Sequence, residues 1–74
     1  MDPEQAHFRQ IFQEFMQTRQ ECGEDVSELT YERFETKLLK TKQTIMDKYN
    51  PSSVRFQVYV KQGKAALRAV PVRE

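Results

Sequence analysis

The sequence predicts an α+β domain in which two antiparallel helices pack on a C-terminal two-stranded antiparallel β-hairpin, in the order α-α-β-β. Three observations carry this expectation. Apolar residues recur with a period near 3.6 in two separate stretches, Phe8 to Met16 and Tyr31 to Tyr49. From Val54 onward the period drops to 2, and Gln62-Gly63 sits midway along that alternating stretch, where a two-residue turn would fold it back on itself.

The first helix opens on Asp2-Pro3-Glu4: a capping carboxylate, a proline at the first helical position and an acid in the first turn. Phe8, Ile11, Phe12, Phe15 and Met16 then fall at i, i+3, i+4, i+7 and i+8, the stripe of an amphipathic helix. Gly23 stands where a left-handed C-terminal cap belongs, so the helix covers about residues 3–22, with Cys22 expected as a small buried apolar residue near the same arc. Arg19 is the contradiction in this pattern. It projects near the middle of the apolar arc, and a guanidinium there needs a partner or an exit to water, which the acidic residues Glu24, Asp25 and Glu28 supply if the side chain reaches toward the connection.

Thr30 caps the second helix, about residues 31–49, with Leu29 before it and Phe34 inside it placed as a hydrophobic staple. Tyr31, Phe34, Leu38, Ile45 and Tyr49 form its stripe, widened on one flank by Leu39 and Met46, and Asn50-Pro51 ends it. So short a connection makes the two helices antiparallel neighbours.

In the hairpin, about residues 53–72, a loop of Gln62 and Gly63 pairs Val58 with Leu67 and Phe56 with Ala69 on one face. Tyr59 then meets Ala66, Gln57 meets Arg68 and Arg55 meets Val70 on the other. Pro71 cannot donate to a ladder, so the last strand is expected to be an edge. An isolated two-stranded hairpin is marginal, so its Val/Phe/Leu face must cover the helices. This leaves one sheet surface in solvent and two strand edges open.

Composition bounds the function. Seventy-four residues, 38% apolar and 31% charged, make one small domain, with no room for a second core or a deep substrate cavity. Catalysis has little to draw on: His7 is the only histidine and falls off the apolar stripe, where an ordinary surface residue is expected, and Cys22 has no evident base beside it. Metal-ligand spacing and phosphate-binding glycine loops are both missing, and two glycines cannot build the latter. No enzyme class, cofactor, metal or small-molecule substrate is therefore expected. The single cysteine forms no intrachain disulfide, "MDPEQ" lacks the marks of a secretory leader, and no apolar run approaches the ~18 residues that span a bilayer, which together read as a cytoplasmic protein without membrane association.

The net charge of +1 conceals a segregation. Residues 1–36 hold three basic against nine acidic side chains, a net −6, and residues 37–74 hold nine against two, a net +7. Helix dipoles account for part of this, since acids gather at the start of the second helix and Lys40, Lys42 and Lys48 toward its end. The functional expectation rests on the outward hairpin face: Arg55, Gln57, Tyr59, Lys61, Lys64 and Arg68 form the candidate partner-binding set. The leading reading is a protein partner or self-association through the face or an edge of the hairpin, where strand addition or pairing of two copies is possible. The alternative is nucleic acid, held by these cations with Tyr59 stacking, and extended by Lys37, Lys40 and Lys48 on one flank of the second helix.

The order "HFRQIFQEF", "CGE", "LTYERFETKL" and "VRFQVYVKQGKAALRAVPV" resembles an uncharacterised family of short C-terminal domains from myxobacteria and related bacteria, found alone and at the ends of longer proteins. That resemblance, over nearly the whole chain, implies a non-enzymatic module with no catalytic residues to carry over. It also implies that the chain can be a piece of a larger protein.

Overall fold

The computed structural model describes residues 2–73, and its elements are α1 (Pro3–Glu21), α2 (Tyr31–Tyr49), β1 (Ser53–Lys61) and β2 (Lys64–Val72). The expected α+β order is observed. Asp2 is extended and its carboxylate accepts the Glu4 N–H at 3.1 Å, so α1 starts where a capping acid meets a proline. At its other end Gly23 takes φ +75°; its N–H reaches the Gln20 carbonyl at 3.1 Å, and the Glu24 N–H reaches the Arg19 carbonyl at 2.8 Å. That pair of bonds closes a Schellman turn. Cys22 is thereby the cap and not the last helical residue, and it is half-buried where a buried position was expected. It lies two turns past Phe15, the last buried residue of α1, beyond the reach of the core.

Thr30 accepts the Arg33 N–H through Oγ1 at 3.3 Å, and α2 runs over the expected residues. Asn50 ends it in the left-handed conformation, φ 48° and ψ 51°, and Pro51 follows, buried. The hairpin pairs Phe56 with Ala69, Gln57 with Arg68, Val58 with Leu67, Tyr59 with Ala66 and Lys61 with Lys64, the expected register throughout. Both turn residues have positive φ, 54° at Gln62 and 75° at Gly63. This is the requirement of a type I′ turn, whose twist matches that of the strands it joins.

The core is assembled from both helices and one strand: Phe8, Ile11 and Phe15 of α1, Phe34 and Leu38 of α2, Val54 and Phe56 of β1. Aromatic rings dominate it. Phe8 meets Phe56 edge-on at 5.7 Å between centroids, and Phe12 and Phe15 both approach Phe34 at 5.3 Å. The molecule is 18 Å through its thinnest axis, the depth of one helical layer on one sheet.

Three expectations need correction. Tyr49 and Leu39, expected in the apolar arc of α2, are 46% and 44% exposed. The inner-face valines do not all go under the helices: Val54 and Phe56 are buried, Val58 is half-buried, and Val60 is 57% exposed. Val60 pairs with Ala65 next to the turn, and of that pair Ala65, bonded to Glu24, is half-buried while Val60 stands in solvent. The strand edges are also not simply open. His7, expected to be an ordinary surface residue, is half-buried, and its Nε2 accepts the Phe56 backbone N–H at 3.1 Å on the outer edge of β1. Glu24 accepts the Ala65 backbone N–H at 2.9 Å on the outer edge of β2. Pro71, opposite Val54, is at an outward-facing position where its missing N–H leaves the ladder intact. Each edge thus carries a blocking device of the kind that limits strand pairing between chains.

Arg19 turns toward the connection, as its misplaced charge requires, but it binds backbone. Its Nη2 donates to the Asp25 carbonyl at 2.8 Å while the guanidinium carbon lies 5.6 Å from the Phe15 ring centroid.

The turn supplies a test of the register. Glutamine at φ +54° is strained relative to asparagine, which tolerates the left-handed region. Gln62→Asn is expected to raise unfolding free energy by about 0.5–1 kcal/mol in urea titration; a lower stability would contradict the type I′ assignment.

Candidate functional site

The parity of β1 decides what the outward face displays. Because Phe56 is inside, Arg55, Gln57, Tyr59 and Lys61 are outside, and the register brings Lys64 and Arg68 to the same face. All six are exposed. The structure therefore brings together every residue that sequence reasoning assigned to this surface.

The six are not independent. Arg68 is directly opposite Gln57, and its Nη2 donates to the Gln57 Oε1 at 2.8 Å. Its guanidinium carbon lies 5.8 Å from the ring centroid of Tyr59, one diagonal step along the face. Arg68 thereby organises the middle of the surface, holding an amide and leaning on an aromatic. Toward the turn, Lys61 and Lys64 face each other as a directly opposed pair of like charges, an arrangement that destabilises a ladder. At the far end Arg55 is opposite Val70.

Residues 53–73 contain five basic side chains and no acidic one. Among the described residues the one salt bridge joins Glu4 to Lys42, between the start of α1 and the second half of α2, so Arg55, Lys61, Lys64 and Arg68 have no carboxylate partner among those residues. The face is an array of four cations with an amide and an aromatic between them.

Lys37, Lys40 and Lys48 do not extend it. They are exposed on α2, which belongs to the opposite layer, and Lys48 lies over Tyr49 with its Nζ 5.4 Å from the ring centroid. A second concave feature, a cleft of about 300 Å3, is lined by Arg19, Asp25, Glu28, Leu29 and Arg33. Its charges are largely spent within the connection: Arg19 is bound to the Asp25 carbonyl, and the Asp25 carboxylate accepts both the N–H and the hydroxyl of Ser27, which with Arg19 nearby holds its pKa below the usual value.

Sequence reasoning missed His7 and Glu24 as edge ligands. His7 immediately precedes Phe8, the first buried residue of α1, and so borders the stripe; that was the available signal. Among the described residues no helix is long and apolar enough to cross a membrane, and no group of three or more His, Cys, Asp or Glu is placed to hold a metal ion. Comparison with protein-family models, with curated proteins and with solved structures finds no match.

The opposed lysines give a measurable consequence. Lys64→Glu, which converts a like pair into an opposite one across the strands, is expected to stabilise the domain by about 0.2–1 kcal/mol in denaturant unfolding. A loss of stability would show that Lys61 and Lys64 do not oppose each other in solution.

Proposed function

We propose that this chain is a non-enzymatic interaction module of the cytoplasm that docks an acidic segment of a protein partner on the outward face of its hairpin, through Arg55, Gln57, Tyr59, Lys61, Lys64 and Arg68. One observation carries the reading: four cations share an exposed sheet face on which, among the described residues, no carboxylate neutralises them, including a Lys61–Lys64 pair that opposes folding stability. Local rules are broken chiefly where function compensates for the cost. A protein partner with alternating acidic side chains matches this face, since an extended segment presents side chains of one parity together. The resemblance to short C-terminal domains implies a non-enzymatic module without choosing its ligand, and a lone thiol such as Cys22 suits a reducing compartment.

Two features favour protein over nucleic acid. Arg68 occupies the acceptor of Gln57 and approaches Tyr59, the two groups that would read or stack a base. The net charge of +1 is also smaller than nucleic-acid-binding domains of this size usually carry.

The test is fluorescence anisotropy with two labelled probes, an extended peptide of alternating glutamate and serine and a single-stranded oligonucleotide of equal charge. Peptide binding that weakens with salt and falls at least tenfold (about 1.4 kcal/mol) in the combined variant Arg55→Ala, Tyr59→Ala, Arg68→Ala is the expected result. Preference for the oligonucleotide, or equal peptide binding by the variant, would overturn the proposal.

A further inference from the structure

Both outer strand edges are held by side chains from outside the sheet, and one of those side chains is a histidine. His7 uses Nε2 as an acceptor for the Phe56 N–H at 3.1 Å, which requires a neutral imidazole with its proton on Nδ1. Protonation places a second N–H against the Phe56 N–H, and two donors cannot bond each other. The bond and the acid form of His7 are mutually exclusive.

The surroundings act in the same direction. The imidazole lies at 6.4 Å from both Phe8 and Phe56, ring to ring, and is stacked on the latter. A cleft of about 210 Å3 lined by Pro3, Glu4, His7, Ser53, Val54 and Arg55 gives solvent protons access. Burial and then Arg55 of β1 lower the pKa of His7 from its ordinary value, while Glu14 and Glu4 of α1 oppose them. Glu4 is itself bonded to Lys42 of α2. No charged group of β2 or of the connection is among those that bear on His7.

We propose that His7 is a proton-operated latch on the outer edge of β1: neutral, it ties α1 to the Phe56 amide and blocks the edge; protonated, it releases that amide and opens the edge from Val54 to Val60. The inference stands independently of the acidic-partner reading, because it concerns the edge of the sheet and not its face. The outward amides of Val58 and Val60 have no hydrogen-bond partner among the described residues, so release of Phe56 extends an already accessible run toward Val54. The linkage has a definite sign. A histidine held neutral in the fold contributes stability that is fully present above its unfolded pKa, about 6.5, and is lost as pH falls through the depressed folded value.

The experiment is an NMR titration of the wild-type chain from pH 8 to pH 4.5, following the His7 ring and amide exchange at Phe56 and Gln57. The Gln57 amide points into the ladder toward Arg68 and serves as the internal control for global unfolding. The expected result is a His7 midpoint below the ordinary histidine value. Across the same midpoint, exchange at Phe56, corrected for its intrinsic rate, accelerates at least tenfold while Gln57 stays protected. The variant His7→Gln, which retains an acceptor but does not titrate, is expected to keep Phe56 protected at every pH. Unchanged protection of Phe56 through the His7 titration, or loss at Phe56 and Gln57 together, would overturn the latch.

Discussion

Phe56 is the residue on which the rest of the structure depends. It is 3% exposed, meets Phe8 edge-on, and carries on its backbone the amide that His7 accepts. Side chains on a strand alternate, so fixing Phe56 inside fixes Arg55, Gln57, Tyr59 and Lys61 outside, and a slip of one residue would exchange the two sets. The magnitudes show why no slip occurs. Burying Val54 and Phe56 is worth about 1.5–3 kcal/mol each, whereas the opposed lysines at the turn cost about 0.2–1 kcal/mol. The inner face sets the register, and the outer face is free to carry charges that do not help the fold.

The same hierarchy explains the shape of the hairpin. The buried residues of β1, Val54 and Phe56, fall in its first half, where Phe56 joins the aromatic cluster of Phe8, Phe15 and Phe34. Past Val58 the residues of β1 are exposed and the turn residues Lys61, Gln62, Gly63 and Lys64 stand in solvent, while Ala65 of β2 is still held by Glu24. A small domain of this size has a stability of only a few kcal/mol, so an exposed ribbon with two edges is a hazard for aggregation. His7, Glu24 and Pro71 reduce that hazard by occupying or removing outward amides, and the exposed lysines add charge to the same end.

Much of this was legible in the residues. Asp2-Pro3, Gly23, Thr30 and Asn50-Pro51 mark the helix ends because capping acts within one turn and leaves its mark locally. The strand register followed from the two-residue turn together with the match of Phe56 to Ala69 and Val58 to Leu67. What was not legible depends on contacts across elements. His7 to Phe56 and Glu24 to Ala65 join residues 49 and 41 positions apart, and each uses a backbone amide, which every residue carries and no pattern distinguishes. Arg19 was recognisable as misplaced, yet its acceptor proved to be the Asp25 carbonyl and not one of the neighbouring carboxylates, again because a backbone group has no sequence signature. The exposure of Val60 was hidden for a different reason: alternation reports which face a residue shares, and not how much of that face is covered at each position.

The central claim is the parity of β1, and proton-proton distances in the sheet test it most directly. In an antiparallel ladder the residues of non-hydrogen-bonded pairs bring their α protons closest together. Strong cross-strand nuclear Overhauser effects between the α protons of Phe56 and Ala69, of Val58 and Leu67, and of Val60 and Ala65 are expected. Strong α-proton contacts joining Gln57 to Ala69 or Tyr59 to Leu67 in their place would contradict it, because they would turn Tyr59 inward and dissolve the basic face.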